Sequence, residues 1–190
     1  MTTGRRAWVE AVVAALDAER DLVVASLGAN ARYLGHLGPP VPHLDLCDSM
    51  GAAIPIGLGM ALARPDRRVL VLEGDGALLM NLGTLATVAA ARPANLVAMV
   101  FDNGRYESSG GQALPDVGVD FVAVAGGLGL AAERVAEAPA LSAALGRARS
   151  GRGPVLLVLP TVFDPAESIP PYAARPAEVR LNFDRVLRGS

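Results

Sequence analysis

The chain has 190 residues, a formal net charge of −2 and 52% hydrophobic residues. This length and apolar content predict one domain with a sizeable core, and the near-balanced charge argues against a nucleic-acid-binding surface. One cysteine excludes an internal disulfide, and two histidines cannot form a zinc site alone. Because no signal peptide and no apolar run of about 18 residues is evident, we expect a cytoplasmic protein without a membrane segment.

The first part of the sequence predicts one helix and two short strands. Apolar residues recur at helical spacing over residues 4–19, with Arg5 on the outside, and we interpret this helix as a packing element without chemistry. Apolar runs predict strands at 21–26 and 43–46, separated by a proline-rich loop at 38–43.

Four polar residues could be either structural or functional: three lie at or after the end of the first predicted strand, and the fourth, Glu73, lies next to Gly74 further along the chain. Ser26 or Asn30 either caps the next helix or contacts a ligand, and capping is favoured because both are common N-cap residues. Arg32 either binds an anionic substrate or stays solvated. We interpret Glu73 as structural.

The middle of the sequence predicts a helix of small residues and two buried strands. Residues 50–61 are rich in Gly and Ala, and Gly57 and Gly59 would each cost about 1 kcal/mol in a helix relative to Ala. We therefore expect this helix to pack closely against another surface. Apolar runs at 69–72 and 96–101 predict buried strands with a helical segment between them.

The remaining sequence completes an alternation of strands and helices. It predicts helices at 118–128 and 138–150 and strands at 133–136 and 153–159. The alternation predicts a three-layer α/β/α fold with a parallel sheet of about six strands. We expect residues 1–163 to form the domain and residues 164–190, which are rich in proline, to form an extended C-terminal tail.

The two central strands each end in an oxygen-bearing side chain. Asp75 lies between Gly74 and Gly76 after the first strand, and Asn103 follows the second. In open α/β sheets this carboxyl edge binds ligands. Carboxylate, amide and backbone carbonyl oxygens suit Mg²⁺ or Ca²⁺, and Mg²⁺ commonly takes further ligands from phosphates. Free N–H groups of Gly76 and Ala77 would face a phosphate. The pattern predicts a diphosphate held by Mg²⁺, although Gly-Asp-Gly alone is also common in turns.

The spacing of these motifs resembles a family signature. Residues 77–101 place 25 residues between the Gly-Asp-Gly at 74–76 and the Asp102-Asn103 pair. This resembles the Gly-Asp-Gly and Asn-Asn signature of thiamine diphosphate enzymes, with Asp102 in place of the first Asn. The rival hypothesis, a nicotinamide dinucleotide domain, is weakened because no Gly-x-Gly-x-x-Gly follows the first strand.

Two further segments narrow the resemblance to one branch of that family. Residues 81–87, Asn-Leu-Gly-Thr-Leu-Ala-Thr, and 106–112, Tyr-Glu-Ser-Ser-Gly-Gly-Gln, resemble sulfopyruvate and phosphonopyruvate decarboxylases. The similarity covers about residues 22–160. It implies the thiamine diphosphate-binding fold and a bound Mg²⁺. The metal ligands implied by the resemblance are Asp75, Asn103 and the Arg105 carbonyl.

The start of the glycine-rich helix is similar to another segment of the same family. Residues 49–55, Ser-Met-Gly-Ala-Ala-Ile-Pro, resemble its Thr-Met-Gly-x-x-x-Pro. This implies that Met50 wedges beneath the cofactor and that the Asp48 carbonyl faces its 4′-amino group; the alternative for Met50 is an ordinary core methionine. The expected cofactor contacts are Asp48, Ser49, Met50, Gly74, Asp75, Gly76, Ala77, Asn103, Arg105 and Tyr106.

The resemblance also implies a partner. The family uses a Glu on a separate pyrimidine-binding domain, for which this chain has no room, so no catalytic residue is expected here. We expect the β-type subunit of a 2-oxo acid decarboxylase, inactive without a pyrimidine-binding α-type subunit, in a heterotetramer or larger assembly with homodimeric contacts. The alternatives are an acetolactate synthase-like carboligase subunit and a non-catalytic regulatory domain; intact Asp75 and Asn103 argue against the latter.

The polar loop after the second central strand suggests a substrate site. Sulfopyruvate and phosphonopyruvate carry an anionic group besides the carboxylate, which needs fixed donors. The alternative is a flexible loop that only closes over the cofactor. The candidate substrate contacts are Arg32, Ser108, Ser109, the N–H groups of Gly110 and Gly111, and Gln112.

Overall fold

The computed structural model describes residues 3–115, 118–151 and 153–188. The strands are β1 (Thr3–Gly4), β2 (Asp21–Ala25), β3 (His43–Asp45), β4 (Arg68–Gly74), β5 (Leu96–Asp102), β6 (Arg105–Tyr106), β7 (Gln112–Ala113), β8 (Ala131–Arg134) and β9 (Val155–Val162). The α-helices are α1 (Arg5–Ala14), α2 (Ala29–Leu37), α3 (Ala53–Ala63), α4 (Asp75–Met80), α5 (Thr84–Ala91), α6 (Phe121–Gly127), α7 (Leu141–Ser150) and α8 (Pro176–Arg188).

The main sheet is parallel and, within the described residues, has seven strands. Its order is β3-β2-β4-β5-β9-β1, and β8 pairs with the first half of β9 on the side where β1 pairs with its end. The two short strands β6 and β7 form a separate antiparallel pair beside this sheet. The α/β fold predicted from the alternation of strands and helices is confirmed.

Hydrophobic residues at alternating positions of the strands pack into two hydrophobic cores, one on each face of the sheet. In β4, Leu70 and Leu72 belong to the core that contains Trp8 of α1, whereas Val69 and Val71 belong to the core on the opposite face, with Ile54 of α3. Because both faces of the sheet are covered by helices, its strands are continuous apolar runs. The predicted three-layer arrangement is therefore present.

Several element bounds differ from the sequence-based predictions. The helix predicted over 4–19 ends at Ala14, and the glycine-rich helix begins at Ala53, not at residue 50. The helical segment between the central strands is divided into α4 and α5 by a turn. None of the helices in the described ranges is long and apolar enough to span a membrane.

The C-terminal segment differs from the predicted extended tail, because it contains the helix α8. Pro176, which suggested extended chain, is the first residue of this helix, where its fixed φ is favourable and its missing N–H costs nothing. The Glu178 carboxylate accepts hydrogen bonds from the backbone N–H (2.9 Å) and the guanidinium of Arg175. The division into a domain and a tail at residues 163/164 stays a prediction.

Gly57 and Gly59 allow a matched test of the close packing expected of α3. A Cβ at Gly57 would lie 2.3 Å from Cγ2 of Val71 in β4, whereas a Cβ at Gly59 would meet nothing within 4 Å. We expect Gly57→Ala to lower the free energy of unfolding by about 1–3 kcal/mol, as overpacked cores do. Gly59→Ala should raise it by up to about 1 kcal/mol, because Ala favours helix.

Urea unfolding followed by circular dichroism measures both free energies. Equal effects of the two substitutions would contradict the assignment of Gly57 as the contact point between α3 and the sheet.

Candidate cofactor site

The pairing of β4 with β5 brings Asp75 next to Asn103. Gly74 lies opposite Phe101 in the register, so the residues that follow both strands meet at the same edge of the sheet. One carboxylate oxygen of Asp75, Oδ2, accepts backbone N–H groups of Asn103 (2.8 Å) and Gly104 (2.5 Å). The predicted juxtaposition of these two residues is present.

The Asp75 carboxylate is a buried charge that lacks a cationic side chain. Asp75 is 2% exposed, and burial raises the pKa of its carboxyl above the ordinary value, although the N–H groups of Gly76, Gly104 and Asn103 oppose this rise. Among the described residues, no arginine or histidine forms an ion pair with it. A cation bound here would compensate the buried charge.

The oxygen donors at this edge fit Mg²⁺ in chemical type. Asn103 accepts the backbone N–H of Arg105 on Oδ1 (2.9 Å), which leaves a second lone pair on that oxygen. The described ranges contain no cluster of three or more His, Cys, Asp or Glu side chains. An ion bound by Asp75 and Asn103 would therefore need further ligands from backbone, water or a cofactor, as Mg²⁺ commonly takes.

A cleft beside Asp75 collects predicted cofactor residues from separate elements. The predicted cofactor contacts that line it are Met50, Gly74, Asp75, Gly76, Ala77, Arg105 and Tyr106, and they are joined by Ser108, a predicted substrate contact. Asn103 is half-buried next to it, while Asp48 and Ser49 are exposed and do not line it. The structure thus brings together most of the predicted cofactor contacts.

The floor of this cleft requires a glycine. A Cβ at Gly76 would lie 2.6 Å from Cδ1 of Tyr106, so the ring of Tyr106 packs directly over this backbone. The side chain of Arg105 extends away, where it donates to the Gly111 carbonyl (2.8 Å) and lies over the Phe163 ring. Its predicted ligand is the backbone carbonyl, which this side-chain position leaves unaffected.

Arg5 lines the same cleft, although the sequence analysis placed it outside a purely structural helix. The pairing of β1 with the end of β9 carries Arg5 to the carboxyl edge of the sheet, where it is 5% exposed. Nη2 of its guanidinium donates to Glu107 Oε2 (2.7 Å) and Nη1 to Asn30 Oδ1 (2.7 Å). One signal was available: Arg5 shares the helical face of Trp8, Val9 and Val12 at spacings of three, four and seven.

Ser26 and Asn30 do not cap a helix, contrary to the favoured interpretation. The N-cap of α2 is Gly28, without a side-chain cap. Both polar residues are buried, and Asn30 Nδ2 donates to Ser26 Oγ (3.2 Å). They belong to a polar cluster with Arg5, and they line the cleft.

Glu73 is buried below the start of α3, consistent with a structural role. Burial raises the pKa of Glu73 to about 7, while the Gly74 N–H, the Ser26 hydroxyl and the N–H groups of Ile54 and Ala53 oppose this rise. The Gly74 N–H donates to Glu73 Oε1 (3.1 Å), a contact within β4.

Arg32 binds the C-terminal segment and does not line the cleft. Its guanidinium donates to the carbonyls of Pro170 and Ile169 and lies over the Tyr172 ring. The Tyr172 hydroxyl accepts the Gly28 N–H (3.0 Å) and donates to the Cys47 carbonyl (3.2 Å). In this structure Arg32 neither contacts the cofactor cleft nor stays solvated, so both predicted alternatives are replaced by a packing role.

The predicted substrate loop is only partly directed at the cleft. Ser108 lines it, but the exposed side chains of Ser109 and Gln112 bond mainly to each other's segment, with Gln112 Nε2 donating to the Ser109 carbonyl (2.9 Å). Gly110 and Gly111 have positive φ, and a Cβ at Gly111 would lie 2.8 Å from the Phe163 ring. These two glycines therefore shape the turn.

Comparison with known proteins matches a region of the chain that contains most residues of this cleft. Residues 27–159 match the family model described as thiamine pyrophosphate enzyme, C-terminal TPP binding domain. A phosphonopyruvate decarboxylase from Streptomyces viridochromogenes is 40% identical over 162 residues, which are 85% of this chain and 41% of that protein. The sulfopyruvate decarboxylase subunit beta from Methanothermobacter thermautotrophicus is 42% identical over 119 residues, 63% of this chain and 64% of that one.

Comparison with solved structures finds a similar fold in the same class of enzymes. An X-ray structure from Mycobacterium smegmatis, described provisionally as a thiamin diphosphate-dependent enzyme, superposes with a TM-score of 0.75 at 25% identity, covering 85% of this chain and 32% of that one. The chain thus spans less than two thirds of the length of each of these relatives. With the family model covering more than half of it, this chain belongs to the thiamine pyrophosphate enzymes and contains their C-terminal TPP binding domain.

Proposed function

We propose that this chain is the diphosphate-binding, β-type subunit of a thiamine diphosphate- and Mg²⁺-dependent 2-oxo acid decarboxylase. The observation that carries the proposal is the buried Asp75 carboxylate, which has no cationic side chain among the described residues and accepts the backbone N–H of Asn103 (2.8 Å). The names of the two decarboxylase relatives, one of them a β subunit, support the reaction class.

Asp75, Asn103 and the Arg105 carbonyl would hold the Mg²⁺ in this proposal. Diphosphate oxygens and water would complete its coordination, because three protein ligands leave an octahedral ion unfilled. The Ala77 N–H, in the first turn of α4, would donate to the diphosphate. The Gly76 N–H, predicted as a second donor, already donates to Asp75 Oδ1 (2.8 Å). When bound, thiamine diphosphate supplies the electron sink for decarboxylation.

The residues at the other side of the cleft would orient the cofactor ring. Met50 lines the cleft half-buried, where it would lie beneath the ring as a wedge. Asp48 is exposed outside the cleft, and the resemblance alone supports a hydrogen bond from the 4′-amino group to its carbonyl. The catalytic Glu would come from a pyrimidine-binding α-type subunit. The assembly would be a heterotetramer or larger with homodimeric contacts.

Removal of the Asp75 carboxylate tests the metal site. We expect Asp75→Ala to abolish Mg²⁺-dependent thiamine diphosphate binding by the assembled enzyme, because the ion loses its only anionic protein ligand. Isothermal titration calorimetry with Mg²⁺ and cofactor measures the loss. Asp66→Ala is the control, since that carboxylate pairs with Arg64 at the surface. Unchanged binding by Asp75→Ala would refute the assignment.

Reconstitution tests the need for a partner. The chain alone should release no CO₂ from 2-oxo acids, and activity should appear when the α-type subunit is added, because that subunit supplies the catalytic Glu. A coupled CO₂ assay at matched cofactor concentrations measures both cases. Robust turnover by the isolated chain would refute the subunit assignment, and cofactor binding without turnover in the complex would favour a regulatory domain.

The substrate is proposed to be a 2-oxo acid with a second anionic group, such as sulfopyruvate or phosphonopyruvate. Ser108 is the loop side chain that lines the cleft. We expect Ser108→Ala to lower kcat/KM for these substrates about tenfold or more, since a hydrogen bond to a charged group contributes roughly 1.5–3 kcal/mol. Ser109→Ala, next to it but outside the cleft, should have a smaller effect.

Steady-state kinetics of the reconstituted complex with sulfopyruvate, phosphonopyruvate and pyruvate provide the comparison. A preference for pyruvate, or equal kcat/KM for wild type and Ser108→Ala, would remove this loop from the substrate site.

A further inference from the structure

The side chain of Asn103 is joined by hydrogen bonds to a set of polar side chains that are not themselves proposed metal ligands. We call Arg5, Ser26, Asn30 and Glu107 the Arg5 network. Asn103 Nδ2 donates to Glu107 Oε2 (2.7 Å), and Arg5 Nη2 donates to the same oxygen (2.7 Å). The other guanidinium nitrogen reaches Asn30, which in turn donates to Ser26.

These contacts determine which end of the Asn103 amide faces Glu107. Its nitrogen lies against the carboxylate of Glu107, while its oxygen accepts the Arg105 N–H (2.9 Å). A flipped amide would place oxygen against a carboxylate and N–H₂ against an N–H donor, so both contacts would become repulsive. The network therefore keeps the amide oxygen away from Glu107 and on the side of the Arg105 N–H.

The positive charge of Arg5 stabilises the largely buried carboxylate of Glu107. The two side chains are 6% and 15% exposed, so an unpaired Glu107 would be a poorly solvated anion beside a diphosphate site. The guanidinium is itself confined, because it lies over the Phe101 ring at 5.2 Å and donates to Asn30. By contrast, the neighbouring Arg6 forms an exposed pair with Glu10 and touches none of this network.

We propose that Arg5 is a positioning residue for the metal site, which acts through Glu107 to hold the Asn103 amide with its oxygen available to the cation. The inference rests on the proposed function, because it assigns Arg5 a role toward the Mg²⁺ that Asn103 would bind. It explains why a charged residue at the start of α1 is buried against the end of β5. Arg5 contacts Glu107, which holds the proposed metal ligand Asn103, and is not itself a metal ligand.

The test compares Arg5→Met with Arg6→Met, its exposed neighbour in the same helix. We expect Arg5→Met to raise the Mg²⁺ Kd of the assembled enzyme, measured by calorimetry at saturating thiamine diphosphate, by about 10–100-fold, as for partners that orient metal ligands. Arg6→Met should leave it within about twofold of wild type, the scale of ordinary surface substitutions. Arg5→Lys keeps the charge but not the fork of donors, and should show an intermediate loss.

A double-mutant cycle separates positioning from general destabilisation. In a Glu107→Ala background the route from Arg5 to Asn103 is absent, so adding Arg5→Met should change the Mg²⁺ Kd little further. The amide resonances of the Asn103 side chain offer a readout without cofactor. In the ¹⁵N-labelled chain, Arg5→Met should shift them and speed their exchange with solvent, whereas Arg6→Met should not.

The outcomes are distinct. An unchanged Mg²⁺ Kd in Arg5→Met, or an equal loss in the wild-type and Glu107→Ala backgrounds, would overturn the role of Arg5 while leaving the proposed function intact. If Arg5→Met does not fold, Arg5→Lys in the wild-type and Glu107→Ala backgrounds decides the same question. Absence of Mg²⁺-dependent cofactor binding in the wild-type assembly would overturn the proposed function and this inference together.

Discussion

The contact on which the site depends is the acceptance of three backbone N–H groups by the buried carboxylate of Asp75. These groups belong to Gly76, after β4, and to Asn103 and Gly104, after β5. One side chain thus joins the ends of two adjacent parallel strands and fixes the direction in which both turns leave the sheet. Together with the pairing of β4 and β5, this contact positions the turn that carries Asn103 relative to α4.

Charge balance around this carboxylate follows from the surrounding elements. Glu107, another acid of the cleft, is neutralised by Arg5. The buried Glu73 accepts the Gly74 N–H (3.1 Å), and burial raises the pKa of its carboxyl to about 7. Asp75, unlike Glu107, has backbone donors but no cationic side chain among the described residues, and Glu73 shares this lack of a cation. Under the proposed function, a cation bound beside Asn103 would compensate the Asp75 carboxylate.

The local pattern of the sequence was informative where a residue's role depends on its neighbours in the chain. The apolar runs predicted β4 and β5, and the residues after them were predicted to meet because parallel strands share a carboxyl edge. The prediction failed where a side chain has a distant partner. Asn30 resembles an N-cap, yet it accepts a hydrogen bond from Arg5, and Arg32 resembles a free cation, yet it binds the carbonyls of residues 169 and 170.

The sequence by itself determined the alternation of strands and helices, the glycine-bounded acid at Asp75 and its spacing from Asn103, since periodicity and turn chemistry are local properties. Only the tertiary structure decided that Arg5 lies at the cofactor cleft, because the pairing of β1 with β9 joins segments from opposite ends of the chain. It also decided that Pro176 begins a helix. A buried polar side chain needs a hydrogen-bond partner, and the role of the side chain depends on which partner it has. No local sequence pattern predicts which distant side chain that partner will be.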